Sequence, residues 1–218
     1  MKHTVKIDFV SDVVCPWCAL GSTALDQAIA NVADEIDVKL TFKPFELNPD
    51  MPAEGEDPIQ HMIRKYGRTA GQVAARNQMI VERGRELGFE FNLQRRTHFF
   101  NTHDAHRLLF WAANEGLQSE LHRALIEAYF VNGQNPSSHQ TLVALAQKVG
   151  LNAQQAQVVL ESGQFNDEVR ALENFYLDRG INSVPAMVLN NRQVVAGSQS
   201  VEYYEQVLRQ AAQAASSN

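Results

Sequence analysis

Cysteine is nearly absent from this chain: Cys15 and Cys18 are the only two in 218 residues. With no third or fourth cysteine, the chain cannot build a disulfide framework or complete a zinc site from thiolates alone. Blocks of basic residues are also missing, and the formal charge of -6 argues against nucleic acid or an anionic membrane surface as the main partner. No apolar run is long enough to span a bilayer. Internal repeats and low-complexity segments do not occur. What is present is an ordinary apolar fraction, 44%, enough for one good core or two small ones.

Met1 to Ile7 enters an alternating pattern at once, leaving no room for a secretory leader, so the expected compartment is the cytoplasm. Thiols are kept reduced there, and a lone vicinal pair then reads as catalytic, redox-sensing or metal-binding. A bridge closing so short a loop is worth only about 2 kcal/mol in the chain-entropy model, and a domain of this size does not depend on that. The pair is therefore read as chemistry.

Val5, Ile7 and Phe9 alternate with Lys6 and Asp8, and Val38, Leu40 and Phe42 alternate with Lys39, Thr41 and Lys43, the period of strands. Between them Trp17, Leu20, Ala24, Ala28 and Val32 recur at helical spacing, with Pro16 suited to the first turn. From Asp57 to about Gln164 the pattern is one of successive helices, punctuated by Asp57-Pro58, Gly67, Gly88, Gly116, Gly150 and Gly163. A helix through Val169, Leu172, Phe175 and Tyr176 then ends at Gly180. Two short strands, 186–189 and 193–196, flank Asn190-Asn191, whose side chains tolerate the left-handed backbone of a tight hairpin. Ser200 can cap a last helix, with fraying expected from Ala214 to Asn218. These parts suggest a parallel strand pair with a helical crossover, completed by an antiparallel hairpin, with the helical block inserted as a lid.

At a helix N-terminus, unpaired amides and the helix dipole favour a thiolate, which makes Cys15 the expected nucleophile. Cys18, one turn further on, is the expected resolving thiol, able to attack a mixed disulfide on Cys15. Trp17 offers an apolar face beside the sulfur but no positive charge.

A strand running into Cys-Pro-Trp-Cys, a helical insertion, and Ser183-Val184-Pro185 leading into a hairpin together resemble the thioredoxin superfamily, in its DsbA-like group. Phe9-Val10-Ser11-Asp12, Phe45-Glu46-Leu47-Asn48-Pro49 and Asn101-Thr102-His103-Asp104-Ala105-His106-Arg107-Leu108 are similar to the cytosolic FrnE-like branch. The resemblance implies an α/β thioredoxin-like fold with a large all-helical insertion: residues 1–56 and 165–218 form the discontinuous thioredoxin-like domain, and 57–164 the insertion. It further implies that Pro185 follows a cis peptide bond and faces the cysteines, that the backbone at Val184 pairs with a bound polypeptide, and that Asn101 faces the site from the insertion. Pro16, Trp17, Val184, Pro185 and Asn101 are thus the expected substrate contacts.

The implied activity is thiol-disulfide exchange on disulfide-containing proteins or small thiols, with no bound cofactor and with glutathione or a thioredoxin system as electron donor. Trp17 stands where the oxidases of secreted proteins usually carry histidine, which directs the expectation to a reductase or isomerase of moderate potential. Two alternatives stay open. Glutathione-dependent isomerases and kappa-type transferases are similar in insertion and proline loop but usually carry serine at the Cys15 position; a non-enzymatic redox sensor or holdase would use the same pair without turnover.

A zinc reading of Cys15 and Cys18 would need His98, His103 or His106, or a second chain, and no metal is assigned. His103 and His106 share a helix face and are read as packing or capping residues. Asp12 is read as a cap or solvated loop residue, with a base role for Cys18 as the alternative, and Glu46 as a surface residue at a strand end. Asn101 also reads as the N-cap of the helix bearing Leu108. Phe99, Phe100, Phe110 and Trp111 read as core or lid packing.

Overall fold

The computed structural model describes residues 2–216. Strand β1 (His3–Ser11) leads into helix α1 (Pro16–Asn31) and strand β2 (Ile36–Pro44). β1 and β2 run parallel, with Val5 opposite Val38 and Phe9 opposite Phe42, so the helix between them is a crossover. β3 (Ala186–Leu189) pairs antiparallel with β1, and β4 (Gln193–Ala196) antiparallel with β3, giving the order β2-β1-β3-β4. The two residues joining β3 to β4, Asn190 and Asn191, have φ of 48° and 56°, the left-handed turn expected of that pair. The Asn190 side-chain oxygen also accepts the Lys6 N–H at 2.9 Å, tying the hairpin to β1.

Alternation along β1 divides its side chains between two layers. Val5, Ile7 and Phe9 pack with Ala24, Leu25 and Ala28 of α1 and with Tyr204, Val207 and Leu208 of α9 (Val201–Ser216). Val10 faces the other way, onto Tyr176 of α8 (Asn166–Leu177), Ile181 and Ala186. On that same face the Tyr176 hydroxyl donates to Asp8 at 2.8 Å. Gly21 lets α1 approach closely: a Cβ there would meet the Phe9 ring and Pro185, each at 3.3 Å.

Six helices, α2 (Pro58–Tyr66), α3 (Ala70–Glu86), α4 (His103–Asn114), α5 (Gln118–Phe130), α6 (His139–Lys148) and α7 (Ala153–Ser162), lie between β2 and α8. Their boundaries follow local chemistry. Asp57 accepts the N–H groups of Ile59 and Gln60 ahead of Pro58, Gly67 ends α2 in the left-handed region, and Thr69 with Gln72 forms a capping box on α3. Their core is continuous with the start of α1, because Val13, Val14, Ala19 and Leu20 share one apolar cluster with Leu108, Leu121, Leu125 and Phe130.

Ser200 caps α9 through the Tyr203 N–H. The fraying expected from Ala214 is not seen as far as Ser216, where α9 ends, and Ser217 and Asn218 lie outside the described residues. None of the described helices is long and apolar enough to cross a membrane.

Candidate active site

Cys15 is the N-cap of α1 in an extended conformation, with Pro16 at the first helical position. Proline costs nothing there, since an N–H at that position has no intrahelical partner. The N-cap carbonyl receives the Cys18 and Ala19 N–H groups at 3.0 and 3.1 Å, which winds Cys18 back under Cys15. Both residues are free thiols and buried. Of the two, Cys15 lines an open cleft of about 260 Å³.

The environments drive the two sulfurs apart. Cys15 is held below the ordinary cysteine range, first by the hydrogen bond from the Cys18 thiol and then by the backbone N–H groups of Cys18 and Trp17, against the opposing effects of burial and Asp12. Cys18 is pushed well above that range, first by burial and then by its donation to Cys15 and the negative charge there.

The Cys15 sulfur points at the Val184 carbonyl oxygen, 3.9 Å away. Val184 lines the cleft, and the Val184-Pro185 bond is cis. Pro185 is buried behind that surface, and its carbonyl accepts the Gly197 N–H at 2.8 Å. Pro16 and Trp17 also line the cleft. Trp17 does not present a bare apolar face, because the guanidinium groups of Arg83 and Arg76 from α3 lie 5.3 and 6.0 Å from its ring centroid. The positive charge that the Cys-Pro-Trp-Cys run cannot provide arrives from the helical block. Arg68 joins Arg76 at the cleft, and among the described residues no carboxylate lines it.

Asn101 is not at the cleft. Its amide nitrogen donates to Glu46 and to the Pro49 carbonyl, both at 3.1 Å, and its oxygen accepts the His103 N–H at 2.9 Å. It therefore serves the start of α4 from one position before the N-cap, Thr102, which makes no side-chain cap. His61, Met62 and Tyr66 of α2, with Phe99, form the far wall. Of the expected aromatic cluster, Phe99 reaches the cleft, whereas Trp111 is buried in the helical core.

Asp12, read as a cap or solvated loop residue, and Glu46, read as a surface residue at a strand end, are both interior. Asp12 is buried; one oxygen accepts the Leu47 N–H at 2.7 Å, and the other accepts the Val14 N–H at 3.3 Å and faces His106 Nε2 at 3.7 Å. Glu46 is buried under α8 and α4, where Arg170, His103 and Asn101 bind it. Burial raises the Glu46 carboxyl, but the His103 hydrogen bond and the Arg170 charge outweigh that and leave it below the usual range.

A zinc site at the cysteines finds no support among the described residues, where one group of three donors lies close enough to share an ion: Glu46, His103 and Glu173, within 4.8 Å of one another. Arg170 already bridges its two carboxylates, so the group forms an ion-pair network complete with its own cation.

The signals missed in the sequence are Arg68, Arg76, Tyr66 and His61, more than 40 residues from the cysteines and carrying no local motif of their own.

The fold has counterparts. Protein YwbO of Bacillus subtilis (strain 168) is 28% identical over 207 residues, covering 94% of this chain and 96% of that one. A probable DsbA oxidoreductase from Streptomyces coelicolor superposes with a TM-score of 0.88 at 29% identity, over 95% of this chain and 89% of the other. The cytosolic disulfide reductase DsbM from Pseudomonas aeruginosa, solved with GSH, superposes with a TM-score of 0.63 at 17% identity, over 97% and 98% of the two chains, a likeness of fold. The family model of the DSBA-like thioredoxin domain matches residues 6–209, and the chain belongs to that family.

Proposed function

We propose that this protein is a cytosolic disulfide reductase or isomerase of the FrnE-like branch, acting through Cys15 and Cys18. Cys15 thiolate attacks a disulfide R–S–S–R′, releasing R′S⁻ and forming a mixed disulfide. Cys18 then loses its proton and attacks Cys15, releasing RS⁻ and closing the Cys15–Cys18 bond; both leaving thiolates take up protons. The substrate gains two electrons and the protein loses two, which glutathione or a thioredoxin system returns. The helices of 57–164 act as the lid.

The observation that carries this reading is the placement of the pair: Cys15 caps α1 on the cleft with its sulfur 3.9 Å from the Val184 carbonyl oxygen, and Cys18 lies buried one turn beneath it, off the cleft. Arg68 and Arg76 on a cleft without carboxylates favour an anionic thiol such as glutathione as the returning reductant, in keeping with the neighbour solved with GSH. The test is catalysed reduction of insulin or a small aromatic disulfide with glutathione or a thioredoxin system as donor. Turnover by the wild type and none by Cys15→Ser is expected; turnover retained in Cys15→Ser refutes the reading.

A further inference from the structure

Asp12 places a carboxylate beside the dithiol, and it is held there firmly. Its two oxygens take the Leu47 and Val14 N–H groups, and its own carbonyl takes the Cys15 N–H at 3.1 Å. A buried negative charge in this place opposes a thiolate, and it pushes both Cys15 and Cys18 upward. Such an arrangement is costly for a nucleophilic cysteine unless a cation faces the carboxylate from its other side.

His106 is the group on that side. It is buried on α4, outside the cleft, with Nε2 at 3.7 Å from Asp12 Oδ1 and 3.2 Å from the Phe45 carbonyl oxygen. It lines a separate cavity of about 200 Å³ that it shares with Lys43, Ser11 and Thr41. The charged and titratable groups around it come from several elements: Asp12 before α1, Glu46 after β2, Glu173 and Arg170 on α8, His103 on its own helix, His122 on α5 and Lys43 on β2. Burial pulls the His106 imidazole down, but the Asp12 carboxylate 3.7 Å away, then the charges of Glu173 and Glu46, outweigh it and hold it above the ordinary histidine range.

We infer that His106 is a positioning residue for the dithiol: its imidazolium closes an ion pair on the buried Asp12 carboxylate, so that the protonation of a residue outside the cleft decides how strongly Asp12 opposes the Cys15 thiolate. The inference rests on the reading of Cys15 as the reactive thiol. While His106 is charged, the Asp12 charge is compensated and the thiolate forms readily. As pH rises and His106 becomes neutral, Asp12 acts on the thiolate in full, so Cys15 ionisation is spread over a wider pH range than a single proton requires.

The experiment is the rate of iodoacetamide alkylation at Cys15, located by mass spectrometry, from about pH 5 to pH 9, a range spanning the histidine and cysteine ionisations. Wild type, His106→Gln, Asp12→Asn and the double variant are compared. His106→Gln should react about three- to tenfold more slowly than wild type at the acid end and should converge on it at the alkaline end. In the Asp12→Asn background the same substitution should leave the rate unchanged at every pH. A uniform slowing, no slowing, or the same effect without Asp12 would overturn the inference. If His106→Gln does not fold, Asp12→Asn alone decides: its profile must rise and sharpen to a single ionisation, and an unaltered profile overturns the proposal. Alkylation needs no redox turnover, so failure of the proposed enzyme activity would register separately.

Discussion

Arg76 lies over the Trp17 indole, its guanidinium carbon 6.0 Å from the ring centroid, and brings a positive charge from α3 to the cleft that holds Cys15. Burial lowers the Arg76 guanidinium, and the charge on Cys15 pulls it the other way. The pair links the helical block to the first turn of α1. Arg76→Gln should reduce the alkylation rate of Cys15 by iodoacetate about three- to tenfold while changing the iodoacetamide rate less, because only the anionic reagent gains from the local charge. Equal loss with both reagents would mean that Arg76 holds Trp17 in place and does not attract anions.

The roles proposed for the two thiols give a second prediction. On the proposed mechanism Cys18→Ala removes both the resolving thiol and the hydrogen bond that does most to lower Cys15, so the variant should accumulate a stable mixed disulfide with substrate or glutathione, visible as a mass increase. Its Cys15 should also need a higher pH to react than in wild type. Release of the mixed disulfide at the wild-type rate would show that an external thiol, not Cys18, resolves it.

His122 offers a test of stability away from the site. It is fully buried, both ring nitrogens lack hydrogen-bond partners, and it stacks on Phe42 at 3.6 Å. Burial, then the charges of His106 and Arg123, hold its imidazole down at about 3. The unfolded chain therefore binds a proton that the folded one refuses, and stability that is full above the ordinary histidine range is lost as pH falls below it. His122→Phe keeps the ring stack and removes the polar atoms. It should be neutral or stabilising at pH 7, and its advantage over wild type should grow by about 2 to 3 kcal/mol on going to about pH 4.5, read from urea midpoints. An advantage independent of pH would contradict this account.

Gly84 tests the seating of α3. A Cβ there would stand 2.4 Å from the Phe91 ring and 2.5 Å from the Phe89 carbonyl oxygen, and the carbonyl is backbone that cannot swing aside. Gly84→Ala should cost about 1 to 3 kcal/mol despite alanine's better helix propensity, as a lowered urea midpoint. A stabilised variant would mean that α3 shifts freely.

The sequence and the structure agree where a local pattern carries the information. The alternation of Val5, Ile7 and Phe9, the Asp57-Pro58 helix start, the Asn190-Asn191 turn and the placement of Cys15 at the head of α1 all follow from residues within a few positions of one another. The surroundings of the cysteines are different. Asp12 reads as a cap or solvated loop residue and Glu46 as a surface residue because charged residues usually are, and groups that meet them inside lie far along the chain: the Leu47 N–H and His106 for Asp12, and Arg170 and His103 for Glu46. Arg76 carries no mark at all in the sequence, since an arginine on an amphipathic helix is ordinarily a solvated one. Asn101 reads as a helix-capping residue and serves the start of α4 from one position before the N-cap, bound to Glu46 and outside the lining of the cleft.

The central claim is that Cys15 and Cys18 form a reversible redox pair whose reduced form does the work. It is tested most directly by equilibrating the protein in a series of glutathione redox buffers and counting free thiols by alkylation and mass shift. The account predicts complete, reversible interconversion between dithiol and disulfide, with a midpoint well below the value of about −120 mV that marks a strong oxidase. Failure to form the Cys15–Cys18 disulfide, or a midpoint near that oxidase value, would contradict it.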